Sequence, residues 1–201
     1  MDSLSRCRHE AAIEEALASL PRNLEDTYRR MIECIPTELK TDAIRLLQFL
    51  VHSERPLKMA EAKEVIATQI ENGSRGFDIK RRLFCDTYVL DYCPSLVTVV
   101  HATDKELHLA HFSVKEYLLG KDQFNLTTAS ISITGTCLTY LTSIHKEMKQ
   151  DFPMARYAAE AWTVYAALAQ ASEDIARATV RFLEEETTFQ RWASLYQPDR
   201  Y

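Results

Sequence analysis

Three histidines, His101, His108 and His111, fall within eleven residues and form the densest group of potential metal ligands in the chain. Imidazoles at this spacing hold zinc only if a fourth ligand or a carboxylate converges on them. In a strand alternating over 106–112, His108 and His111 are an odd number of residues apart. Their rings therefore leave on opposite faces, which breaks the group. His111 then stands alone, at a strand end and directly before Ser113, which is expected to cap a helix. Unpaired N–H groups and partial positive charge at a helix start suit a phosphate, and a histidine beside them adds a donor. The same ring can equally pack a hairpin against the body of a fold.

Catalytic constellations do not assemble. Cys85, Cys93 and His101 would make a thiol dyad only if the fold brought them together, and nothing in the spacing does so. The five cysteines, at 7, 34, 85, 93 and 137, include no C-x-x-C pair and are expected as free thiols in a reducing compartment. Ser53-Glu54 reads as a turn and Ser113-x-x-Glu116 as a capping box, not as nucleophile and base. Four glycines, at 73, 76, 120 and 135, supply neither a P-loop nor a Rossmann turn nor a nucleophile elbow. The expectation is no catalytic residue, no metal site and no nucleotide held by this chain itself. Lys80-Arg-Arg82 with Arg75 is the one basic cluster, expected as a solvated face or an interdomain contact.

The elements that would position these residues are mostly helices. A helix over 8–19 stops at Pro21, and Asn23 caps a second, with Asp26 three residues on, that ends before Pro36. Thr37 caps a third, carrying the apolar stripe Ala43, Leu46, Leu47, Leu50 and Val51. A turn at 53–56 and a helix over 59–70 follow, then a polar loop (71–79) and a short helix over 84–93. The period then changes to that of strands at 96–100 and 106–112, joined by a polar turn, which is a β-hairpin. A helix over 114–119 ends at Gly120, and 121–130 reads as a polar linker. Beyond it lie helices at about 131–147, 154–170, 172–186 and 188–196. This order is mainly α: a winged-helix domain with a two-stranded hairpin wing, followed by an α-helical segment.

Charge narrows the function. The 201 residues carry a net charge of −5, with 17 basic and 20 acidic residues over 1–125 and 7 basic and 9 acidic over 126–201. Neither half has the field to hold a polyanion. The helix over 84–93 carries Asp86 and Asp91 and no basic residue, and the wing turn reads Asp104-Lys-Glu106, which is unsuited to phosphate backbones. Nucleic-acid binding is therefore the weaker of two readings of a winged helix. No apolar run approaches the length of a membrane span, and the N-terminus lacks a secretory stretch. The expected setting is cytoplasmic, with no membrane partner.

Ordered segments resemble a known family. Asp2-Ser-Leu-Ser-Arg-Cys-Arg8, Leu20-Pro-Arg-Asn-Leu-Glu-Asp-Thr-Tyr-Arg-Arg-Met-Ile32, Arg45-Leu-Leu-Gln-Phe-Leu-Val-His-Ser-Glu-Arg-Pro-Leu57 and Leu109-Ala-His-Phe-Ser-Val-Lys-Glu-Tyr-Leu118 are similar to the stretch that follows the NTPase core in fungal NACHT–ankyrin proteins. Phe152-Pro-Met-Ala-Arg-Tyr-Ala-Ala-Glu-Ala-Trp162 resembles the opening of the helices that precede their ankyrin repeats. These are STAND-class signalling NTPases, relatives of NOD-like receptors, whose winged helix carries a GPI inositol-deacylase label. The resemblance implies a helical lead-in (1–22) after a NACHT core, a winged helix (23–125) and a helical segment (126–201) before ankyrin repeats. It implies a non-catalytic regulatory module coupling a nucleotide switch to a repeat sensor. Its partners would be the core and repeats of the same polypeptide, with oligomerisation only through regions absent from this sequence. In His111-Phe-Ser-Val-Lys-Glu116 it implies that His111, with Ser113, contacts the β-phosphate of ADP held by that core.

Overall fold

The computed structural model describes residues 9, 11, 23–70, 76–101, 103–144 and 152–196. The helix expected over 8–19 lies almost wholly outside them, as do Arg75 and the loop residues 71–75. The chain divides into two compact units, Met1–Cys34 and Ile35–Tyr201.

In the first unit, α1 (Leu24–Glu33) starts as its sequence requires. The Asn23 side chain accepts the Asp26 N–H at 2.8 Å, and Arg29 pairs with Asp26 one turn back.

The second unit opens with α2 (Thr37–His52). Thr37 is its first residue, with Pro36 before it, and no side chain caps it. The unbroken apolar stripe makes α2 the central element: Ala43, Leu46, Leu47 and Phe49 are completely buried. A two-residue strand β1 (Leu57–Lys58) leads into α3 (Met59–Ala67), whose first turn is fixed by Glu61 accepting the Lys58 N–H at 2.8 Å. The helix expected to continue to residue 70 stops at Ala67. Thr68–Gln69 is instead a strand (β2), paired with Gly76–Phe77 (β3). Thr68 is β-branched and its hydroxyl bonds back to the Glu64 carbonyl at 2.8 Å, which competes with helix propagation.

A short helix α4 (Thr87–Tyr92) leads into the wing through Ser95, at φ 64. The wing strands are β4 (Val97–His101) and β5 (Lys105–Leu109). They form not a two-stranded hairpin alone but a three-stranded antiparallel sheet ordered β1-β5-β4, with Leu57 opposite Leu107. Two residues carry no readable period, so β1 was invisible in the pattern. Helix–strand–helix–helix–strand–strand with this order is the winged-helix arrangement. The fold class expected from the sequence is the one observed.

After α5 (Phe112–Leu119) the residues 121–130 are not a linker. Asp122–Phe124 is a 3₁₀ turn, and α6 (Leu126–Ser143) begins with Asn125 accepting the Thr128 N–H at 2.8 Å. Two side chains one turn apart on α2 hold that 3₁₀ turn in place. Gln48 donates to the Gln123 carbonyl and His52 Nε2 to the Phe124 carbonyl, both at 2.7 Å. Helices α7 (Ala155–Leu168), α8 (Glu173–Glu184) and α9 (Glu186–Leu195) complete the unit. Trp162, which is buried, packs against Phe182 and Trp192 at ring separations of 5.3 and 5.5 Å.

Candidate functional site: the foot of the wing

Strand β5 ends at Leu109, and His111 rather than Ser113 caps α5. With φ −154 and ψ 153, His111 is extended, and its Nδ1 accepts the Ser113 N–H at 3.2 Å. Ser113 Oγ lies 2.7 Å from the same nitrogen, and Ser113 sits inside the helix. An Nδ1 that accepts an N–H bond carries no proton, which leaves Nε2 as the ring's donor. Ser113 thus fixes the tautomer, and His111 is exposed. The helix start expected to be open to an anion is therefore partly closed, because the Ser113 N–H already has the ring as its acceptor.

His111 borders a cleft of about 260 Å³. One wall is the Ser53–Leu57 turn between α2 and β1. The other is His108, His111, Phe112 and Lys115. Phe112 is 69% exposed, and its ring lies 4.4 Å from that of His111. Arg55, on the opposite wall, is committed: its guanidinium meets both Glu61 oxygens at 2.8 and 2.6 Å and lies 4.8 Å from the Tyr157 ring centre. The hydrogen bonds to Glu61 hold its pKa above the ordinary arginine value. Lys115 is the exposed cation on the His111 side.

The turn itself is tied to α7. Ser53 Oγ and Tyr157 Oη are 2.6 Å apart, and Tyr165 Oη donates to the His52 carbonyl at 2.7 Å. Burial pushes both phenols up, Tyr165 to about 12. Sequence reading found His111 and Ser113 but not the opposing wall. The only available signal was the Glu-Arg-Pro turn, whose partners lie about a hundred residues away.

Other candidates resolve separately. His108 Nε2 pairs with Glu106 at 3.0 Å, and His101 lies opposite Lys105 at the far end of the hairpin. Among the described residues no three His, Cys, Asp or Glu side chains could share a metal ion. Cys93 is buried and Cys85 is exposed, its Sγ 3.0 Å from Thr87 Oγ1. In the basic cluster Lys80 is exposed, as expected of a solvated face, but the two described arginines meet carboxylates of the same unit. Arg81 meets Asp42 at 3.1 Å, and Arg82 grips both oxygens of buried Glu64 at 2.5 and 2.8 Å. The wing lysines are likewise occupied, Lys105 with Asp86 at 2.8 Å and Lys58 with Asp104 at 2.7 Å. Hydrogen bonds from Lys105 and Lys63 hold the Asp86 carboxyl below its ordinary range.

Comparison with known proteins agrees with this architecture. Residues 28–129 match the family described as "GPI inositol-deacylase, winged helix domain". The chain belongs to that family. A Monascus ruber protein named "Azaphilone pigments biosynthesis cluster protein L" is 30% identical over 176 residues, covering 77% of this chain. The chain spans only 37% of that relative's length. No solved structure matches. Among the described residues no helix is long and apolar enough to cross a membrane.

Proposed function

We propose that the chain is a non-catalytic coupling module of a STAND-type NTPase, joining a NACHT nucleotide switch on one side to a C-terminal repeat sensor on the other. The observation that carries this reading is the exposed His111 at the foot of the wing, whose Nδ1 accepts the Ser113 N–H and leaves Nε2 as the ring's donor. A phosphate of ADP held by the core accepts that hydrogen bond, and Lys115 adds positive charge beside it. The motif His111-Phe-Ser-Val-Lys-Glu116 supports the assignment. So do the two tyrosine hydrogen bonds between the 52–53 turn and α7, which give the winged helix a rigid connection to the following helices. ADP or ATP belongs to the core, and the partners are the core and repeats of the same polypeptide, in a reducing cytoplasm that suits the free thiols. The pairing of Lys58 and Lys105 with carboxylates gives a nucleic-acid reading no support.

The test is ADP retention by a polypeptide that carries a NACHT core ahead of this segment. A hydrogen bond to a charged phosphate contributes about 1.5–3 kcal/mol. His111→Ala should therefore speed ADP release roughly 10- to 150-fold. The same substitution removes the α5 cap, which costs about 1 kcal/mol, so the melting temperature of the 201-residue chain should fall by only about 2–4 °C. A large loss of melting temperature with an unaltered ADP off-rate would make His111 a packing residue and refute the reading.

A further inference from the structure

Helices α8 and α9, expected as two separate helices, meet at Glu185, yet no residue there stops a helix. From 173 to 196 the chain has no glycine and no proline. Glu185 stands at φ −80 and ψ 96, and no side chain caps the start of α9. Thr187 and Thr188 are mediocre helix formers, but they do not break a helix. Local propensity therefore favours one continuous helix over 173–195, and the bend comes from what α9 touches. Arg191 Nη1 donates to the Leu141 carbonyl at 3.4 Å and to the Ile144 carbonyl, at the C-terminal end of α6. Trp192 Nε1 donates to the Ala159 carbonyl of α7 at 2.9 Å, and its ring packs on Trp162. Thr188 is buried. The same docking leaves two buried donors, Arg191 Nε and Trp162 Nε1, without an acceptor among the described residues, which opposes the contacts that bury them. The Glu186 and Thr187 N–H groups, first in α9, lie outside any intrahelical bond, and a continuous helix would close both onto α8 carbonyls.

We propose that α9 is a strap with two states. In the bent state it spans the ends of α6 and α7. In the straight state it swings off them and continues α8 as one helix, which returns Arg191 Nε and Trp162 Nε1 to water and closes the broken backbone ladder at Glu185. Tertiary contacts hold the first state and local helix formation the second, so the joint is a hinge between two packings of the same residues. Ala159 lies between Tyr157 and Tyr165 on α7, the tyrosines that hold the 52–53 turn. The bent strap therefore braces the helix that fixes the cleft wall.

The experiment is amide hydrogen exchange of the full chain, read together with tryptophan emission. Trp162 and Trp192 are its only tryptophans, so the emission reports the docking itself. Arg191→Met removes the clasp on α6. Emission should then move to longer wavelength, and the Glu186 and Thr187 amides should exchange several-fold more slowly than in the wild type. Glu186→Pro puts proline at the first position of α9, where it fits the bend but clashes in a continuous helix. That variant should keep the wild-type emission. With both substitutions the emission should shift as in Arg191→Met, while the amides over 187–195 lose protection, because an undocked helix of ten residues does not hold by itself. Exchange in α2 should keep the wild-type rate throughout. Arg191→Met that speeds exchange across 186–195 overturns the proposal, because α9 then only frays. So does unchanged emission, or an α2 that opens with α9, which would make α9 part of the core rather than a strap.

Discussion

Arg82→Met should destabilise the chain more than any exposed substitution, although Arg82 looks from the sequence like part of a surface basic run. Glu64 is 1% exposed, and three donors hold its carboxylate: Arg82 Nε at 2.5 Å, Arg82 Nη2 at 2.8 Å and Tyr140 Oη at 2.7 Å. Removing the guanidinium leaves a buried charge with the tyrosine alone. Breaking a buried pair from one side costs about 3–5 kcal/mol. The Arg82 side chain is 25% exposed and Tyr140 stays in place, which puts the cost near the lower end, about 3 kcal/mol. For a chain of this size that is a fall in melting temperature of about 6–12 °C. The methionine keeps some contact with the Phe77 and Phe152 rings, over which the guanidinium now lies at 5.3 and 5.7 Å, so lost packing contributes little. Thermal unfolding followed by circular dichroism measures it. The companion is the triple variant Glu64→Leu, Arg82→Met, Tyr140→Phe, which removes the charge with its partners and should recover most of the loss. A shift under 2 °C in the single variant, or a triple variant as unstable as the single, refutes the reasoning.

Stability should also collapse on the alkaline side. Burial pushes up the phenols of Tyr140, Tyr157 and Tyr165 and the thiols of Cys93 and Cys137, above ordinary values of 10.0 and 9.0. Their stabilisation is complete below those values and is lost as pH rises through them, by about 1.4 kcal/mol per pH unit per group. Melting temperature should be flat from pH 7 to 8.5 and fall steeply above pH 9.5; a curve still flat at pH 10.5 contradicts the burial of these groups. Calorimetry of the chain with ADP and Mg²⁺ should show no binding, since it holds no glycine-rich phosphate cradle, and a one-site micromolar isotherm would refute that. Anisotropy titration with duplex DNA near physiological salt should find no sequence-selective binding tighter than about 10⁻⁷ M. Selective binding in that range would reverse the choice between the two winged-helix readings.

Local rules placed most elements. Asn23 and its Asp26 partner, the apolar stripe of α2 and the change of period at the wing are contained in neighbouring residues, and each appears where expected. Errors arose where a distant partner decides. Thr68 leaves the helix for a strand that pairs with Gly76 and Phe77, and 121–125 becomes an ordered turn because Gln48 and His52, on another helix, take its carbonyls. The cap on α5 passed from Ser113 to His111 because the imidazole, held extended at the end of the wing, reaches the Ser113 N–H itself.

The sequence by itself determined the class of fold and the position of His111 between a strand and a helix. These rest on residue type and spacing, which act over a few residues. Only the tertiary structure decided what the charged residues do. Arg81 and Arg82 are neighbours in a basic run, yet one meets Asp42 on α2 and the other Glu64 on α3. Arg55 faces the cleft but is spent on Glu61 and Tyr157. A charge is solvated or buried according to which carboxylate the fold brings within hydrogen-bond reach. That pairing is set by the packing of helices far apart in the chain, and no local pattern records it.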